Sequence, residues 1–539
     1  MTIRPWRRAT LVASALTLLV AVAAGAAFAR QSAAQALAAD KSTLVVAIPD
    51  DAATLDPLFA ATVRSTEVIM NSYATLNTYG LKALKGGLRV WDSARPVGDL
   101  LAGMRVSPDG KTWTLTVRKG RRFADGSAIT AATLKFMFDR NFGVKGSGGA
   151  FMYQFMGKIG GIDSVKQTGP STLTVSTQVP NPLLPRIFAL SNSVAFNPSV
   201  LAAQGGADPF ASTWVAKNTA GAGPYQLSSW APGSKIVLSA NPFYAPKPAI
   251  KTVVMQIVPS AANRMLLLRR GTVDVVERLS AQEIKQLQGA TGVKVVSVPS
   301  ANTTQLVMNT KTGPLADARV RQAINYAVPY AQIISSVYGG KAQSSTGPVP
   351  VGFPLRLKTG YPYSAQNLAK ARSLLAASGE KNISLPLQIS SGAADHEAVA
   401  VLIRDALSKV GISVSIQKLT PAVFAEQQGK RQLEFFLIDS LWWVGDPSYA
   451  LTLGYTCGAF FNYGNYCNKS VDELVQKAGE TLNNAERASL YGQAQKLIIA
   501  DAPMAWVAQP NFNLATRTNI SGYAHFPDEM VRFKYLAKG

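Results

Sequence analysis

Apolar residues along the chain recur in two alternating patterns, one typical of β-strands and the other typical of α-helices. Short runs that are apolar throughout or alternate in polarity predict strands at residues 44–48, 113–117, 173–176, 236–238, 253–258, 273–276 and 412–416. Segments with apolar residues three and four positions apart predict helices at residues 260–270, 318–328, 368–375 and 399–407. Strands and helices that alternate in this way predict a mixed α/β protein.

Turn and cap residues indicate where several of these elements begin and end. Asp317 precedes a helical pattern and is of the residue type that caps a helix N-terminus. Gly271 follows another helical pattern, at the position where a glycine commonly ends a helix. The sequence from Gly221 to Pro224 predicts a turn in which glycine supplies a positive φ and proline fixes the backbone that follows.

The N-terminal segment has the features of a cleavable export signal. Arg4, Arg7 and Arg8 precede an uncharged apolar run over residues 11–28, and Ala27-Phe28-Ala29 has the small-x-small form of a signal-peptidase site. Residues 36–38 offer a second cleavage site, and an uncleaved membrane anchor is the alternative. Because no cysteine lies near the cut, we predict a signal peptide over residues 1–29 and a periplasmic protein without a lipid anchor.

Length and charge narrow the class of protein further. Residues 30–539 are too many for one hydrophobic core, so two or more domains are expected. The formal net charge is +23, but the basic residues are dispersed and no nucleic-acid motif accompanies them. We therefore interpret the charge as a solvated surface and expect no nucleic-acid partner.

The two cysteines, Cys457 and Cys467, lie ten positions apart in a stretch rich in Gly, Asn and Tyr. In an exported protein this spacing favours a disulfide. A metal site is the alternative, but His396 and His525 are the only histidines, they are far apart in sequence, and no CxxC occurs. We predict no metal and no other cofactor.

Motifs of hydrolases are incomplete or missing. His396-Glu397 begins an HExxH-like string, but Ala400 stands where the second histidine belongs. No GxSxG sequence or phosphate-binding loop occurs. The sequence thus favours a binding protein, and a secreted hydrolase is the weaker alternative.

Several short segments, in this order, resemble the bacterial family 5 extracellular solute-binding proteins, which include dipeptide-, oligopeptide- and nickel-binding receptors. The segments are TLDP at 54–57, WTLTVRKG at 113–120, FADGS at 123–127, GAGPY at 221–225, NPFY at 241–244 and PLADARVRQAI at 314–324. The resemblance covers nearly the whole chain after residue 29. Most of these segments form turns and a capped helix, so we expect them to support the fold rather than to contact a ligand.

The resemblance implies a two-lobed periplasmic-binding-protein fold with an extra subdomain in the first lobe, of the type II, cluster C-like arrangement. It places the first lobe at residues 40–290, with the inserted subdomain at about 65–200, and the second lobe at 291–508. Residues 509–539 then return to the first lobe. A solute would lie between the lobes, which close on it by hinge motion.

The resemblance also implies a function. The chain would be the periplasmic receptor of an ABC importer, a monomer that delivers a peptide-like, glycosidic or opine-like solute to the membrane permease subunits. A nickel-chelate receptor of the same family and a chemotaxis sensor are alternatives. Fold alone does not identify the solute.

The segment from Trp442 to Pro447 is the most informative about the solute. Peptide-binding members of the family carry an aspartate four residues before the proline, and it pairs with the peptide's α-ammonium group. Trp443 occupies that position here, whereas Asp446 matches a later acidic residue and Asp439 fits only if the loop is shifted. We therefore expect Trp442, Trp443 and Asp446 in the site, with an aromatic ring in contact with the solute.

Three polar residues complete the set of candidate ligand-binding residues. Thr54 follows the first predicted strand, where a loop faces the opposite lobe, and an ordinary turn is the alternative. Asn302 and Thr304 lie beside the first predicted crossing between lobes, near residues 290–300, and a surface loop is the alternative. Cys457 and Cys467 resemble the disulfide loop of dipeptide-type members, which implies a rigid support.

Overall fold

The computed structural model describes residues 40–84 and 87–539, so the predicted signal peptide lies outside the described residues. The strands are β1 Thr43–Ile48, β2 Asn77–Ala83, β3 Arg89–Gly98, β4 Leu101–Val106, β5 Thr112–Val117, β6 Val165–Gly169, β7 Thr172–Ser176, β8 Tyr225–Ala231, β9 Lys235–Ala240, β10 Thr252–Ile257, β11 Val275–Glu277, β12 Val293–Pro299, β13 Asn302–Met308, β14 Ala342–Gln343, β15 Ser384–Ser390, β16 Ser413–Leu419, β17 Phe435–Leu441, β18 Met504–Arg517, β19 Ile520–Ser521, β20 Ala524–His525 and β21 Ala537–Lys538.

The α-helices are α1 Val63–Ser72, α2 Ala131–Gly143, α3 Gly148–Phe151, α4 Leu184–Ile187, α5 Pro198–Gly205, α6 Ser212–Val215, α7 Ala261–Arg269, α8 Ala281–Leu287, α9 Ala318–Ala327, α10 Tyr330–Ser336, α11 Leu368–Ser378, α12 Ala394–Ser408, α13 Pro421–Gly429, α14 Pro447–Gly454, α15 Lys469–Glu480 and α16 Asn484–Asp501. The mixed α/β prediction is confirmed. Each of the strands and helices predicted from polarity is present, with ends that differ by a few residues.

One long sheet contains strands from both halves of the chain, in the order β16-β15-β17-β13-β18-β11-β1-β10-β9-β8. β1 is buried along its whole length and pairs in parallel with β10 and β11, which explains its uninterrupted apolar sequence. β18 is the longest strand and joins the two halves. Its first part pairs with β13 and its last part pairs with β11 and β12.

The pairing along β18 locates two places where the chain passes between the halves of the sheet. The first passage lies between Pro299, which pairs with Asn511, and Asn302, which pairs with Leu441. The second lies within β18 itself. The lobe boundaries at residues 290 and 508 stay a prediction, and the strand pairing of the described residues shows only these two passages.

A separate four-stranded sheet, in the order β4-β5-β7-β6, forms the core of the inserted part with α2 packed on it. A capping box at Thr130 begins α2. From this helix Arg140 reaches back to Asp56, and two nitrogens of its guanidinium lie 2.8 and 2.7 Å from the two carboxylate oxygens. This buried pair ties the inserted part to the loop after β1, and it gives the TLDP segment a structural role.

The expected conformation at Gly221 and Gly223 is wrong. Neither glycine has a positive φ among the described residues. Both lie instead against the end of α1, where an added Cβ would come 2.3 Å from the Ser72 carbonyl oxygen at Gly221 and 2.4 Å from the Ser72 carbonyl carbon at Gly223. Close approach of two backbones, rather than a left-handed turn, is therefore what requires glycine there.

Candidate functional site

The loop between β17 and α14 carries the candidate residues 442–446. Asp446 begins α14 by accepting a hydrogen bond from the Ser448 amide at 3.0 Å. Its two carboxylate oxygens also lie 2.9 and 3.0 Å from one guanidinium nitrogen of Arg487 on α16. Asp446 is fully buried, so its carboxylate holds this loop in place and has no exposed edge.

Trp442 and Trp443 point into different surroundings. Trp442 is only 3% exposed and packs edge-on against Tyr449 and Phe461, so it belongs to the core of the second lobe. Trp443 is partly buried and lines a cavity at the junction of the lobes. Both rings were expected in the site from the sequence, but they separate here, with Trp442 in the core and Trp443 at the junction of the lobes.

We call this space the Trp443 cavity. Four stretches of the chain that are distant in sequence enclose it, and its lining residues are Thr66, Met70, Thr78, Tyr79, Arg186, Ala189, Leu190, Ser191, Trp443, Phe526, Pro527, Asp528 and Arg532. The first lobe and its inserted part supply most of the wall, the second lobe supplies Trp443, and the C-terminal segment closes one side. The cavity therefore lies where two lobes and the returning chain meet.

The Trp443 cavity is nearly closed. The space between its walls is about 390 Å³, but only about 20 Å³ of it admits the centre of a water molecule. That is room for about one water molecule. A solute of several atoms thus needs the walls to separate before it enters.

Three charged side chains line the Trp443 cavity. Arg532 pairs with Asp528 four residues before it, and its guanidinium lies 4.8 Å from the centre of the Phe526 ring. Arg186 lies on α4. Its guanidinium donates to the Ser93 carbonyl oxygen at 3.2 Å and lies 3.8 Å from the Asp446 carboxylate. The lining thus carries two guanidinium groups and one carboxylate.

Tyr79 provides an uncharged polar group in the same wall. Its ring packs edge-on against Trp91, and its buried hydroxyl has no hydrogen-bond partner within the described part of the chain. Burial raises the pKa of Tyr79, so the hydroxyl keeps its proton and can donate. A buried donor without a partner is costly, which makes it a ready contact for a polar solute atom.

The other candidates from the sequence do not line the Trp443 cavity. Thr54 accepts a hydrogen bond from the Asp56 amide at 3.2 Å, in the turn after β1. Thr304, on β13, donates to Asp439 at 2.7 Å and lies 3.0 Å from the Tyr338 hydroxyl. Asn302 begins the same strand, and its buried side-chain oxygen has no partner among residues 40–84 and 87–539.

Thr304 and Asn302 belong to a second polar group, which we call the Asp439 cluster: Asn302, Thr304, Tyr338, Asp395, His396 and Asp439. His396 Nε2 lies 3.3 Å from an Asp439 oxygen. Burial lowers the pKa of His396, but the Asp439 carboxylate outweighs it and raises the pKa above its ordinary value. Burial, reinforced by Asp439, raises the pKa of Asp395 to about 6. Asp439 is therefore engaged with His396 and Thr304.

The predicted disulfide between Cys457 and Cys467 is present. Inside the loop that it closes, Asn462 donates to the carbonyl oxygens of Thr456 and Tyr466 at 2.9 and 2.6 Å. Phe460 from this loop reaches the inserted part of the first lobe, where its ring centre lies 6.1 Å from that of Phe151. The loop thus forms a rigid contact across the junction.

The charged groups of the Trp443 cavity were not found by sequence reasoning. Arg186 lies on a four-residue helix without a recognisable motif, and Asp528 and Arg532 lie in a C-terminal segment that was assigned only a return to the first lobe. Asp528 and Arg532 lie four residues apart, but the segment between them is not helical, so the spacing gave no usable signal. Their proximity to Trp443 arises only from the tertiary fold.

Comparisons with known proteins identify the family of this chain. Residues 95–462 match the model of the bacterial extracellular solute-binding proteins, family 5 Middle. The chain belongs to the family 5 solute-binding proteins. The family predicted from the short motifs is thus confirmed. Its members are solute receptors, and this chain is one of them.

Individual relatives match over nearly the full length. The probable D,D-dipeptide-binding periplasmic protein DdpA of Escherichia coli K12 is 30% identical over 500 residues, which are 91% of this chain and 93% of that protein. The Helicobacter pylori periplasmic binding protein DppA in complex with the peptide STSA superposes with a TM-score of 0.79 at 23% identity, over 92% of this chain and 98% of that one. Campylobacter jejuni NikZ in complex with Ni(L-His) gives a TM-score of 0.77 at 20% identity, over 93% and 100% of the two chains. The two-lobed fold is confirmed by these matches.

The described residues contain neither a membrane-spanning helix nor a cluster of metal-binding side chains. Within residues 40–84 and 87–539 no helix combines the length and the apolar character needed to cross a membrane. Over the same residues, no three His, Cys, Asp or Glu side chains lie together as they would to hold a metal ion.

Proposed function

We propose that this solute-binding protein is the periplasmic receptor of an ABC importer and that it captures a small peptide-like solute in the Trp443 cavity. The observation that carries the proposal is the composition of the cavity wall. Trp443 from the second lobe faces Tyr79 and Arg186 from the first, so a solute there contacts both lobes. A space between lobes with aromatic and charged walls suits a small polar solute.

Capture in this space needs a hinge motion. The walls leave room for about one water molecule, so the lobes separate to admit a solute and close around it. A solute favours the closed form only through contacts that exist in that form. Contacts with Trp443 on one side and Arg186 on the other meet this requirement, and the permease subunits would recognise the closed monomer.

The candidate residues divide into contacts and supports under this proposal. Trp443 contacts the solute, because it alone of the six lines the cavity. Asp446 orients the loop through Arg487 and lies beside Arg186, while Trp442 supports the loop from the core. Thr54, Asn302 and Thr304 are proposed to stabilise the turn after β1 and the first passage between the lobes.

The names of relatives guide the choice of solutes to test. DdpA is named for D,D-dipeptides, and one solved relative, AgaA, is described in complex with agropinic acid. These names make short peptides and opine-like acids the first two classes for this chain. Sugars and nickel chelates are the remaining alternatives, and hydrolysis is not part of the proposed role.

A thermal-shift screen of the chain without residues 1–29 tests the proposal. The compounds are di- and tripeptides in L and D forms, opines, oligosaccharides and nickel chelates. A ligand that binds only the folded state raises the melting temperature as its concentration increases. Peptides that raise it support the proposal; a response confined to sugars or nickel chelates contradicts the peptide-like class.

A further inference from the structure

We propose that Arg186 is the anchor for a carboxylate group of the solute and that no protein carboxylate receives a solute ammonium group. The solute class that fits is a short peptide-like acid whose amine is blocked or missing, such as an N-acylated dipeptide. This inference rests on the proposed function, because it assumes that the solute lies in the Trp443 cavity.

The charges around the Trp443 cavity leave one cation without a carboxylate of its own. The two carboxylates in and beside the wall are Asp528 and Asp446, and three guanidinium groups surround them: Arg186, Arg487 and Arg532. Arg532 pairs with Asp528, and Arg487 donates to both carboxylate oxygens of Asp446. Arg186 is therefore left to share Asp446 at a distance of 3.8 Å.

The nearest histidine adds no charge to this balance. His525 is fully buried behind Arg532, and burial lowers its pKa to about 3, with help from Arg278 and Arg532. It is neutral at any pH at which the protein functions in the periplasm. Among the three guanidinium groups and two carboxylates, one positive charge thus stays uncompensated, and Arg186 has the weakest carboxylate contact of the three.

Arg186 has hydrogen-bond donors to spare. A guanidinium carries five N–H groups, and Arg186 uses one of them on the Ser93 carbonyl oxygen. Its Nε is buried without a partner within the described part of the chain, and its contact with Asp446 is longer than a hydrogen bond. A carboxylate can take two parallel N–H groups from such a guanidinium.

The same wall has no free carboxylate that could bind an ammonium group of the solute. Asp528 is the one carboxylate among the described lining residues, and one of its oxygens accepts from the Met530 amide at 3.1 Å while the other binds Arg532. An ammonium group in this space would meet two guanidinium groups and one carboxylate that is already paired. Like charges held close together in a desolvated site strongly disfavour binding.

Trp443 suits the opposite end of such a solute. The ring presents an apolar face, and Ala189, Leu190, Met70 and Phe526 extend the apolar part of the wall. The alkyl part of an acyl group packs on this surface without the cost of desolvating a charged amine. The arrangement of one guanidinium and one aromatic face therefore selects a carboxylate joined to an uncharged body.

Three matched probes separate the two ends of a dipeptide. Ala-Ala has a free amine and a free carboxylate, N-acetyl-Ala-Ala lacks the amine charge, and Ala-Ala amide lacks the carboxylate charge. Isothermal titration of the chain without residues 1–29, with the L,L and D,D forms of each, measures the three affinities. We expect N-acetyl-Ala-Ala to bind at least as tightly as Ala-Ala, and the amide to bind more than about 30-fold more weakly.

Variants of Arg186 assign the effect to that side chain. Arg186→Gln should remove the preference for the free carboxylate over the amide, and Arg186→Lys should retain part of it, because the ammonium keeps the charge but loses the paired N–H groups. Arg404→Gln is the matched control, since Arg404 is exposed on α12 and pairs with its neighbour Asp405. If Arg186→Gln does not fold, the Lys variant and the three probes on the wild-type protein decide.

Each outcome has a definite consequence. Binding of Ala-Ala that acetylation abolishes overturns the inference and leaves the proposed function standing. Equal binding of acid and amide, or an unchanged preference in Arg186→Gln, also overturns it. If none of the probes binds in either form, the inference fails, while the peptide-like class is decided separately by the thermal-shift screen.

Discussion

Trp442 and Trp443 show how much depends on a single position in a loop. The two residues are chemically identical and adjacent, yet one packs against Tyr449 and Phe461 in the core and the other lines a cavity between lobes. The side chains alternate as the strand β17 runs out, so a shift of one position would exchange their roles. Substitution of Trp443 should therefore affect solute binding, whereas substitution of Trp442 should affect the stability of the fold.

Trp443→Ala should weaken binding of the solute found by the thermal-shift screen by about 10- to 100-fold, as for other aromatic anchors, with little change in the free energy of unfolding. Trp442→Ala should lower the free energy of unfolding by about 3–5 kcal/mol, because it leaves a hole in a packed core. Titration calorimetry and chemical denaturation measure the two quantities. Wild-type affinity in Trp443→Ala would remove this residue from the site.

The elements differ in how far their sequences predict them. β1, α9 and β16 follow from polarity patterns and caps that act within one element. The positions of Gly221 and Gly223 were recognised, but the reason for glycine there was not, since it depends on α1 approaching from elsewhere in the chain. Local sequence therefore predicts an element, while contacts between elements decide what its residues do.

The Trp443 cavity illustrates the same limit. The aromatic residue on the second lobe was predicted because it interrupts a motif. Arg186, Asp528 and Arg532 were missed, because short helices and C-terminal segments carry no pattern that places them beside Trp443. Charged lining residues from two distant segments join Trp443 in one site only after the lobes meet.

Two titratable side chains on helix α12, Asp395 and His396, make the stability of the second lobe depend on pH, independently of the solute site. Asp395 faces Asp439, His396 and Glu283, and its pKa is raised to about 6, so the folded protein favours its protonated form. Its ionisation therefore removes stability as the pH rises from about 4 to about 6. His396 also has a raised pKa, and its stabilisation is lost at higher pH, as the pH rises through a value above 6.5.

Asp395→Asn should remove the first of these losses. We expect the variant to gain on the order of 1–3 kcal/mol of unfolding free energy relative to the wild type between pH 4 and pH 6.5. Denaturation curves across this range measure the difference, and Asp405→Asn, an exposed aspartate on the same helix, serves as the control. A difference from wild type that does not change with pH would contradict the assignment to Asp395.

In the molecule as a whole, the lobes touch at the Trp443 cavity and also at the disulfide loop. Phe460 is 63% exposed, yet its ring meets Phe151 of the inserted part across the junction. Such an aromatic contact exists only while the lobes are close together. It should therefore stabilise the closed form without contributing to the stability of either lobe.

Phe460→Ala should weaken solute binding by about 2- to 10-fold, mainly through faster release, since an aromatic pair contributes about 0.5–1.5 kcal/mol. Stopped-flow fluorescence measures the release rate. Phe243→Ala is the matched control, because Phe243 is 46% exposed and packs on Gly126 within the first lobe. Equal release rates for the wild type and Phe460→Ala would show that this contact does not hold the lobes together.

The location of the bound solute is the central claim, and a crystal structure of the protein with the solute that most raises its melting temperature tests it most directly. We expect the solute enclosed between the lobes, in contact with the Trp443 ring and within hydrogen-bond distance of Arg186. A solute held instead in an open groove, such as the one beside Phe155 and Asp472, with the Trp443 cavity still closed, would contradict the proposed site.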